Sequence, residues 1–401
     1  MLRQSRASSR FCRLRQDIDD GCQSGLCLHR KLFDASEILL LAFNADAANE
    51  LKARIRDRLD PLGLAGDSVR AQTFHAFGLD IIGQATGARP TLAPWLDGGQ
   101  DLHHLHGLIR QLQERDATFA SRWDLFRVVL GRDLPPFGDE EDAPEDWERG
   151  SGKEGFRTLD GKIVRSQGER LIADWLYYNG VNYEYERPYS FNTADAQHRQ
   201  YYPDFYYPDI DTYHEHWALD AAGNPPSKFH GYREGMQWKH EIHRKNGTQL
   251  IETTMADLWS GRAFTILEKE LTRRGVKLSP NPNRPPLGRK VLEDKDLVRT
   301  FRTFMLHAKS NRLADEELAT RARNNAAGAF LFRHELFLNL FAEIRRAWEK
   351  ALSDQQVIDF EDMLIQATDL LESGAYDPGY KLVMVDEFQD APKLGCASHE
   401  P

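Results

Sequence analysis

Lys381-Leu382-Val383-Met384-Val385-Asp386-Glu387-Phe388-Gln389-Asp390 is the stretch on which the fold turns. The apolar run Leu382–Val385 reads as a buried strand, and two adjacent carboxylates emerge at its carboxyl end, where open α/β sheets place their ligands. Neighbouring Asp and Glu suit a division of labour. One holds Mg²⁺, usually through water, and the other polarises an attacking water. Any strand can end in acidic turn residues, so the doublet alone decides little. The whole Val-Asp-Glu-Phe-Gln-Asp string is much more specific.

Working outward, Glu37–Phe43 predicts a second buried strand and Ala45–Leu59 an amphipathic helix with Leu51, Ile55 and Leu59 on one face. Ser68–Thr73 reads as a strand, and His75–Gly83 opens another helix. This strand-helix alternation is the signature of an open α/β sheet. Leu102–Leu130 reads as helical. Asp139–Glu148, acidic and holding Pro144, reads as a solvated linker. Order resumes with a helix over Ser166–Asn179 and a strand over Tyr183–Tyr189. Pro280–Pro286 is too proline-rich for regular structure and marks a second boundary. Beyond it Asp294–Leu371 is strongly helical, with a long run at Phe330–Leu352.

The chain has 401 residues, 41% apolar and 28% charged, with a net charge of -10. That is the balance of a globular protein. The longest purely apolar run, Ile38–Phe43, is far short of the ~20 residues that cross a bilayer. No apolar signal follows the start, so a cytoplasmic protein without membrane contact is expected. The acidic balance means that any nucleic acid must be held in local grooves. Cys12, Cys22, Cys27 and Cys396 lie near the ends, which excludes a disulfide framework or Cys-ligated zinc site in the body. Residues 1–31 are rich in Arg and Ser and lack periodicity. They read as a transit segment or as an atypical, disordered terminus, and Asp17, Asp19 and Asp20 count against targeting.

The string ending in Asp386-Glu387-Phe388-Gln389-Asp390 resembles the Walker B element of superfamily 1 DNA helicases of the UvrD/Rep type. Ile38–Leu51 is similar to that family's motif Ia, and Thr73-Phe74-His75-Ala76-Phe77 to its motif Ib, both of which contact single-stranded DNA. Ile358-Asp359-Phe360-Glu361-Asp362-Met363-Leu364 resembles the helix preceding Walker B. These segments cover Phe33–Leu134 and Asp294–Ala391. The resemblance implies a RecA-like P-loop NTPase parallel sheet, incomplete here, with a helical subdomain. It also implies ATP and Mg²⁺ as cofactors and single-stranded or duplex DNA as partner. Asp386 would hold the magnesium, Glu387 would activate water and Gln389 would sense the γ-phosphate. Phe43, Asn44, Thr73, Phe74 and His75 would track one DNA strand. The residues suit that task, since phenylalanines offer π-faces to bases and the polar groups can bond the backbone. An aromatic near a strand end can equally be core, and that is the favoured reading of Phe77.

An ATP motor also needs a phosphate cradle, Gly-x-x-x-x-Gly-Lys-Ser/Thr, ahead of motif Ia. The sequence contains none. Gly150-Ser151-Gly152-Lys153 ends in Glu154 and has Trp147 where the first Gly belongs, so it reads as a flexible turn. The second motor domain implied by the resemblance is expected to be missing too. The expectation is a helicase piece truncated at both ends, without autonomous ATP hydrolysis.

A second constellation lies between the linkers. Glu169 sits on the Ser166–Asn179 helix, Asp204 follows Tyr201-Tyr202-Pro203, and Glu215 lies in Tyr213-His214-Glu215-His216-Trp217. Trp238–His243 reads as helical and Thr248–Thr253 as a strand. An Asp at a hairpin start and a Glu on the next strand can share one divalent cation, with Lys steadying charge at the phosphate. The arrangement resembles PD-(D/E)xK nucleases, implying Mg²⁺ or Mn²⁺ at Glu169, Asp204 and Glu215. That family's lysine would fall at 217, which is Trp217 here, and Lys239 on the following helix is the candidate substitute. The block is a live nuclease, a DNA-gripping relic or a coincidence. His214, His216, His240 and His243 offer a zinc reading, disfavoured by their carboxylate context.

The expected organisation is therefore an atypical terminus at 1–31, a first motor part at 32–137 and an acidic linker at 138–149. An inserted α/β nuclease-like domain spans 150–280, a helical subdomain with the Walker B strand spans 281–391, and a tail spans 392–401. The leading function is part of an ATP-dependent 3′-to-5′ DNA helicase. The alternatives are a metal-dependent DNA endonuclease and a non-catalytic DNA-binding remnant.

Overall fold

The computed structural model describes residues 32–63, 66–131, 146–147, 154–325 and 331–385. Asp386, Glu387, Gln389, residues 1–31, the Gly150–Lys153 segment and most of the acidic stretch lie outside them. In chain order the elements begin with β1 (Ile38–Ala42), α1 (Ala45–Leu59), β2 (Arg70–Thr73), α2 (Phe74–Thr86), α3 (Gln100–Arg115) and α4 (Ala117–Leu125). There follow β3 (Asp146–Trp147), β4 (Glu154–Arg157), β5 (Ile163–Val164), α5 (Gln167–Tyr178), β6 (Glu184–Tyr185), β7 (Phe205–Tyr207) and β8 (Thr212–Trp217). The chain continues through α6 (Tyr232–Asn246), β9 (Gln249–Thr254), α7 (Met255–Trp259), α8 (Arg262–Arg273) and α9 (Asp294–Ser310). It closes with α10 (Asp315–Asn325), α11 (Leu331–Asp354), α12 (Phe360–Glu372) and β10 (Leu382–Val385). None of these helices is long and apolar enough to cross a membrane.

The described residues form two compact units: 32–101 with 303–313 and 348–385, and 102–302 with 314–347. Helices α3 and α4, expected with the first motor part, fall in the unit that also holds residues 154–280.

In the first unit β1 is the centre of a parallel sheet ordered β10-β1-β2. All five β1 residues are buried, as a strand covered on both faces requires. Ile38, Leu40 and Ala42 face the stripe Ala48, Leu51, Ile55 and Leu59 of α1. Each buried Leu or Ile there contributes about 1.5–3 kcal/mol. β10 departs from the expectation of a buried strand. Only Met384 is buried, and Val383 is 37% exposed. The reason is its place: among the described residues it pairs on one side only, with β1. α2 packs on α12, with Ile81 and Ile82 against Met363 and Ala367. Gly78 lies at this contact, where a Cβ would meet Met363 at an ordinary 3.5 Å.

The second unit carries a sheet ordered β6-β7-β8-β9, antiparallel through β8 and parallel between β8 and β9. Every residue of β8 is buried, and so is nearly all of α5. The strand expected over Tyr183–Tyr189 shortens to β6. Glu186 turns into the left-handed region at φ 47° and pairs with Arg165 at 2.6 Å. The end of the acidic stretch is not linker throughout, because Asp146–Trp147 pairs antiparallel with Glu154–Gly155. Asp174 ties the unit internally. Its carboxylate accepts from Leu159 N at 2.6 Å and Arg289 Nη2 at 2.7 Å, all three buried. The proline-rich segment is held as well, with Asn281 N donating to Tyr178 O and Leu287 N to Leu159 O.

Candidate functional site

Parallel register sets the first site. Leu41 pairs with Val385 and Ala42 with Thr73, so β1, β2 and β10 end at one carboxyl edge. Phe43 and Asn44 leave that edge from β1, and Thr73, Phe74 and His75 from β2. Asn44 caps α1 by accepting from Ala47 N at 2.8 Å, and Thr73 caps α2 by accepting from Ala76 N at 3.1 Å. Both polar candidates thus have a structural duty that the sequence reading missed, although Asn and Thr before a periodic run are a recognised cap signal. The rings of Phe43 and Phe74 lie 5.3 Å apart, tilted and half-buried. His75 sets its ring against Phe360 at 4.4 Å, and burial pushes its imidazole below the ordinary value. Phe77 packs with the α2–α12 core, as favoured above.

The segment resembling the pre-Walker B helix holds a cluster that the sequence did not reveal. Asp359 caps α12 through Asp362 N at 2.8 Å, and its other oxygen accepts from Lys309 Nζ at 2.6 Å and Trp348 Nε1 at 2.9 Å. Lys309, 3% exposed, also reaches Glu349 at 2.9 Å and Asp362 at 2.8 Å. Burial works against its charge, yet the carboxylates of Asp359 and Asp362 carry it up to about 12.

The second site lies on β7, β8, α5 and α6. The pairing of Phe205 with His214, continued one step, places Asp204 across from Glu215. Asp204 accepts from His216 N at 2.7 Å. Glu215, 1% exposed, accepts from Lys239 Nζ at 2.5 Å on one oxygen and from Tyr201 OH at 2.6 Å on the other. Glu169 sits in the first turn of α5, where Tyr185 OH donates to it at 2.5 Å and Arg165 N at 3.1 Å. Burial, then the Asp204 charge, pushes Glu169 up to about 7. Burial, then Glu215, raises Asp204, while Lys239 opposes the rise. Burial raises Glu215 also, against the pull of Lys239. The three carboxylates therefore feel one another across a poorly solvated space.

Hard oxygen donors of this kind suit Mg²⁺ or Mn²⁺. Among the described residues, though, no three Asp, Glu, His or Cys side chains already converge as a metal-holding group. The histidines are committed elsewhere. His214 bonds Tyr207 and Thr253, each at 2.8 Å, and His216 bonds Thr253 at 2.9 Å and Met255 at 3.2 Å. His240 reaches Glu252 at 2.6 Å. Trp217, at the expected lysine position, donates to that same Glu252 at 2.8 Å and lies under Lys239.

A family model of the UvrD/REP helicase N-terminal domain matches residues 26–116 and 228–395, more than half of the chain. The chain belongs to that family. A stretch of 53 residues, 13% of this chain, is 38% identical to DNA helicase IV of Escherichia coli (strain K12). That stretch spans only 8% of the relative's length. Glu169, Asp204 and Glu215 fall between the two segments matched to the UvrD/REP helicase domain, whereas Lys239 falls inside the second.

Proposed function

We propose that this chain is the DNA-tracking part of an ATP-dependent 3′-to-5′ DNA helicase motor with a RecA-like sheet. What supports the reading is the common carboxyl edge. Phe43, Asn44, Thr73, Phe74 and His75 leave the ends of two adjacent parallel strands, and the third strand runs directly into Asp386. Half-buried rings at such an edge can stack on bases, and α1 and α2 begin there, where the first-turn amides left by the Asn44 and Thr73 caps can bond a phosphate. Asp386, Glu387 and Gln389 are assigned to Mg²⁺, water and the γ-phosphate by motif alone. The test is retention of labelled single-stranded DNA without ATP over a salt series. Binding that weakens steeply with salt supports the reading, and no binding at low salt removes it.

A second reading rests on its own observation: Asp204 and Glu215 face one another, and Lys239 reaches Glu215 from α6. This favours a metal-dependent DNA endonuclease in a PD-(D/E)xK-like inserted block. A bound Mg²⁺ or Mn²⁺ would supply Lewis acidity at a phosphodiester, with Asp204 and Glu215 holding it and Glu169 close by. Lys239 would steady negative charge at the phosphate. Incubation of labelled DNA with Mn²⁺ tests this, with cleavage that disappears in Asp204→Ala as the expected result. Absence of cleavage alongside intact DNA binding would leave a non-catalytic DNA-binding remnant.

A further inference from the structure

A chain of hydrogen bonds, half-buried at Thr248 and buried from His243 onward, leads to Glu215 from the far side of the second site. Tyr189 OH and Thr248 Oγ1 are 2.7 Å apart, and Thr248 Oγ1 and His243 Nδ1 are 2.7 Å apart. His243 Nε2 meets Tyr201 OH at 3.2 Å, and Tyr201 OH donates to Glu215 at 2.6 Å. Tyr189, Tyr201 and His243 are at most 4% exposed, and the rings of Tyr189, Tyr201 and Tyr213 enclose the imidazole. For a neutral ring, the Glu215 end sets the direction of each bond in turn. Lys239 keeps Glu215 an acceptor, so the Tyr201 proton is committed to it. The Tyr201 oxygen can then only accept from His243 Nε2–H. A neutral ring protonated there must accept at Nδ1 from Thr248, which leaves the Thr248 oxygen to accept from Tyr189. Thr248 is held for this, since its own N donates to His243 O at the end of α6.

We propose that Tyr201 and His243 are positioning residues, a one-way relay that caps Glu215 on one oxygen and leaves only the other to be shared between Lys239 and a divalent cation. The proposal rests on the reading of the second site as a cation-dependent one. Lys239 and His243 are one helical turn apart on α6, so the helix that supplies the lysine also supplies the relay. Glu215 is thereby a single-oxygen ligand, and a cation must take its remaining donors from Asp204, Glu169, water or phosphate.

The test uses the full chain with isotope-labelled histidine. The ring signal that disappears in His243→Gln is expected to report a neutral imidazole protonated at Nε2 near neutral pH, and Tyr201→Phe should shift it. Calorimetric titration with Mn²⁺ is expected to show affinity falling about tenfold in Tyr201→Phe and in His243→Leu, the size usual for a partner of a metal ligand. His243→Gln, whose amide nitrogen donates from nearly the same place, should recover most of it. Thermal melts identify any variant that has lost its fold. A His243 ring protonated at Nδ1 overturns the relay. So does unchanged Mn²⁺ affinity in both Tyr201→Phe and His243→Leu when Asp204→Ala abolishes binding. If Asp204→Ala binds Mn²⁺ as tightly as the native chain, the cation-site reading itself falls.

Discussion

Ala42 and Thr73 are register partners, the last paired residues of β1 and β2, and each is followed by a helix whose first cap is a DNA-facing candidate. Asn44 and Thr73 therefore serve the fold whatever else they touch. Replacing either by Ala should lower stability by about 1 kcal/mol through loss of the cap. Asn44→Asp keeps an oxygen for Ala47 N but adds negative charge beside the proposed phosphate path. It should preserve the unfolding midpoint while weakening single-stranded DNA binding. Equal DNA affinity in Asn44→Asp and the native chain would remove Asn44 from the interface.

Lys309 balances three carboxylates, of which Asp359 is fully buried with it while Asp362 and Glu349 open partly to water. Lys309→Met leaves Asp359, Asp362 and Glu349 facing one another. Urea unfolding should show a loss of about 3–5 kcal/mol, as when one partner is removed from a buried ion pair. A loss below ~1 kcal/mol would mean that the cluster rearranges at no great penalty.

His216 is buried, and burial lowers its imidazole from 6.5 to about 3. The unfolded chain takes up that proton below 6.5 and the native chain does not, so stability falls as pH drops through this window. The slope for one such proton is ~1.4 kcal/mol per pH unit. His216→Gln should flatten the pH dependence of unfolding by that amount between pH 6 and 4, a window inside the cited shift. An unchanged slope would show that His216 is accessible to protons in the native state.

The 401-residue polypeptide contains no Gly-x-x-x-x-Gly-Lys-Ser/Thr segment. Its rate of ATP hydrolysis with DNA should equal the buffer control. A DNA-stimulated rate abolished by Glu387→Gln would show that another segment cradles the phosphates.

Local signals were legible. The Leu51, Ile55, Leu59 stripe placed α1 at the bounds the structure shows, because periodicity acts within a few residues, while the Asn44 cap beside it went unrecognised. Neighbours distant in the chain were not. The partial exposure of β10 depends on which strands flank it, and Lys309 meets Asp359 fifty residues away. The shortening of β6 follows from one left-handed residue, Glu186, for which composition gives no sign. In the second site, Asp204, Glu215 and Lys239 stood out by residue type and spacing. Tyr201 was quoted only as a neighbour of Asp204 and His243 only as a zinc candidate, because the contact of each with the other depends on the fold. The spacing of four between Lys239 and His243 on α6 was the available clue.

The proposed DNA-tracking edge is tested most directly by fluorescence anisotropy of labelled oligothymidine titrated with the full chain. Phe43→Ala combined with Phe74→Ala should weaken binding by at least about tenfold, from ~1–3 kcal/mol per lost base stack, with the salt slope kept. Undiminished affinity in a folded double variant would place the DNA elsewhere on the molecule.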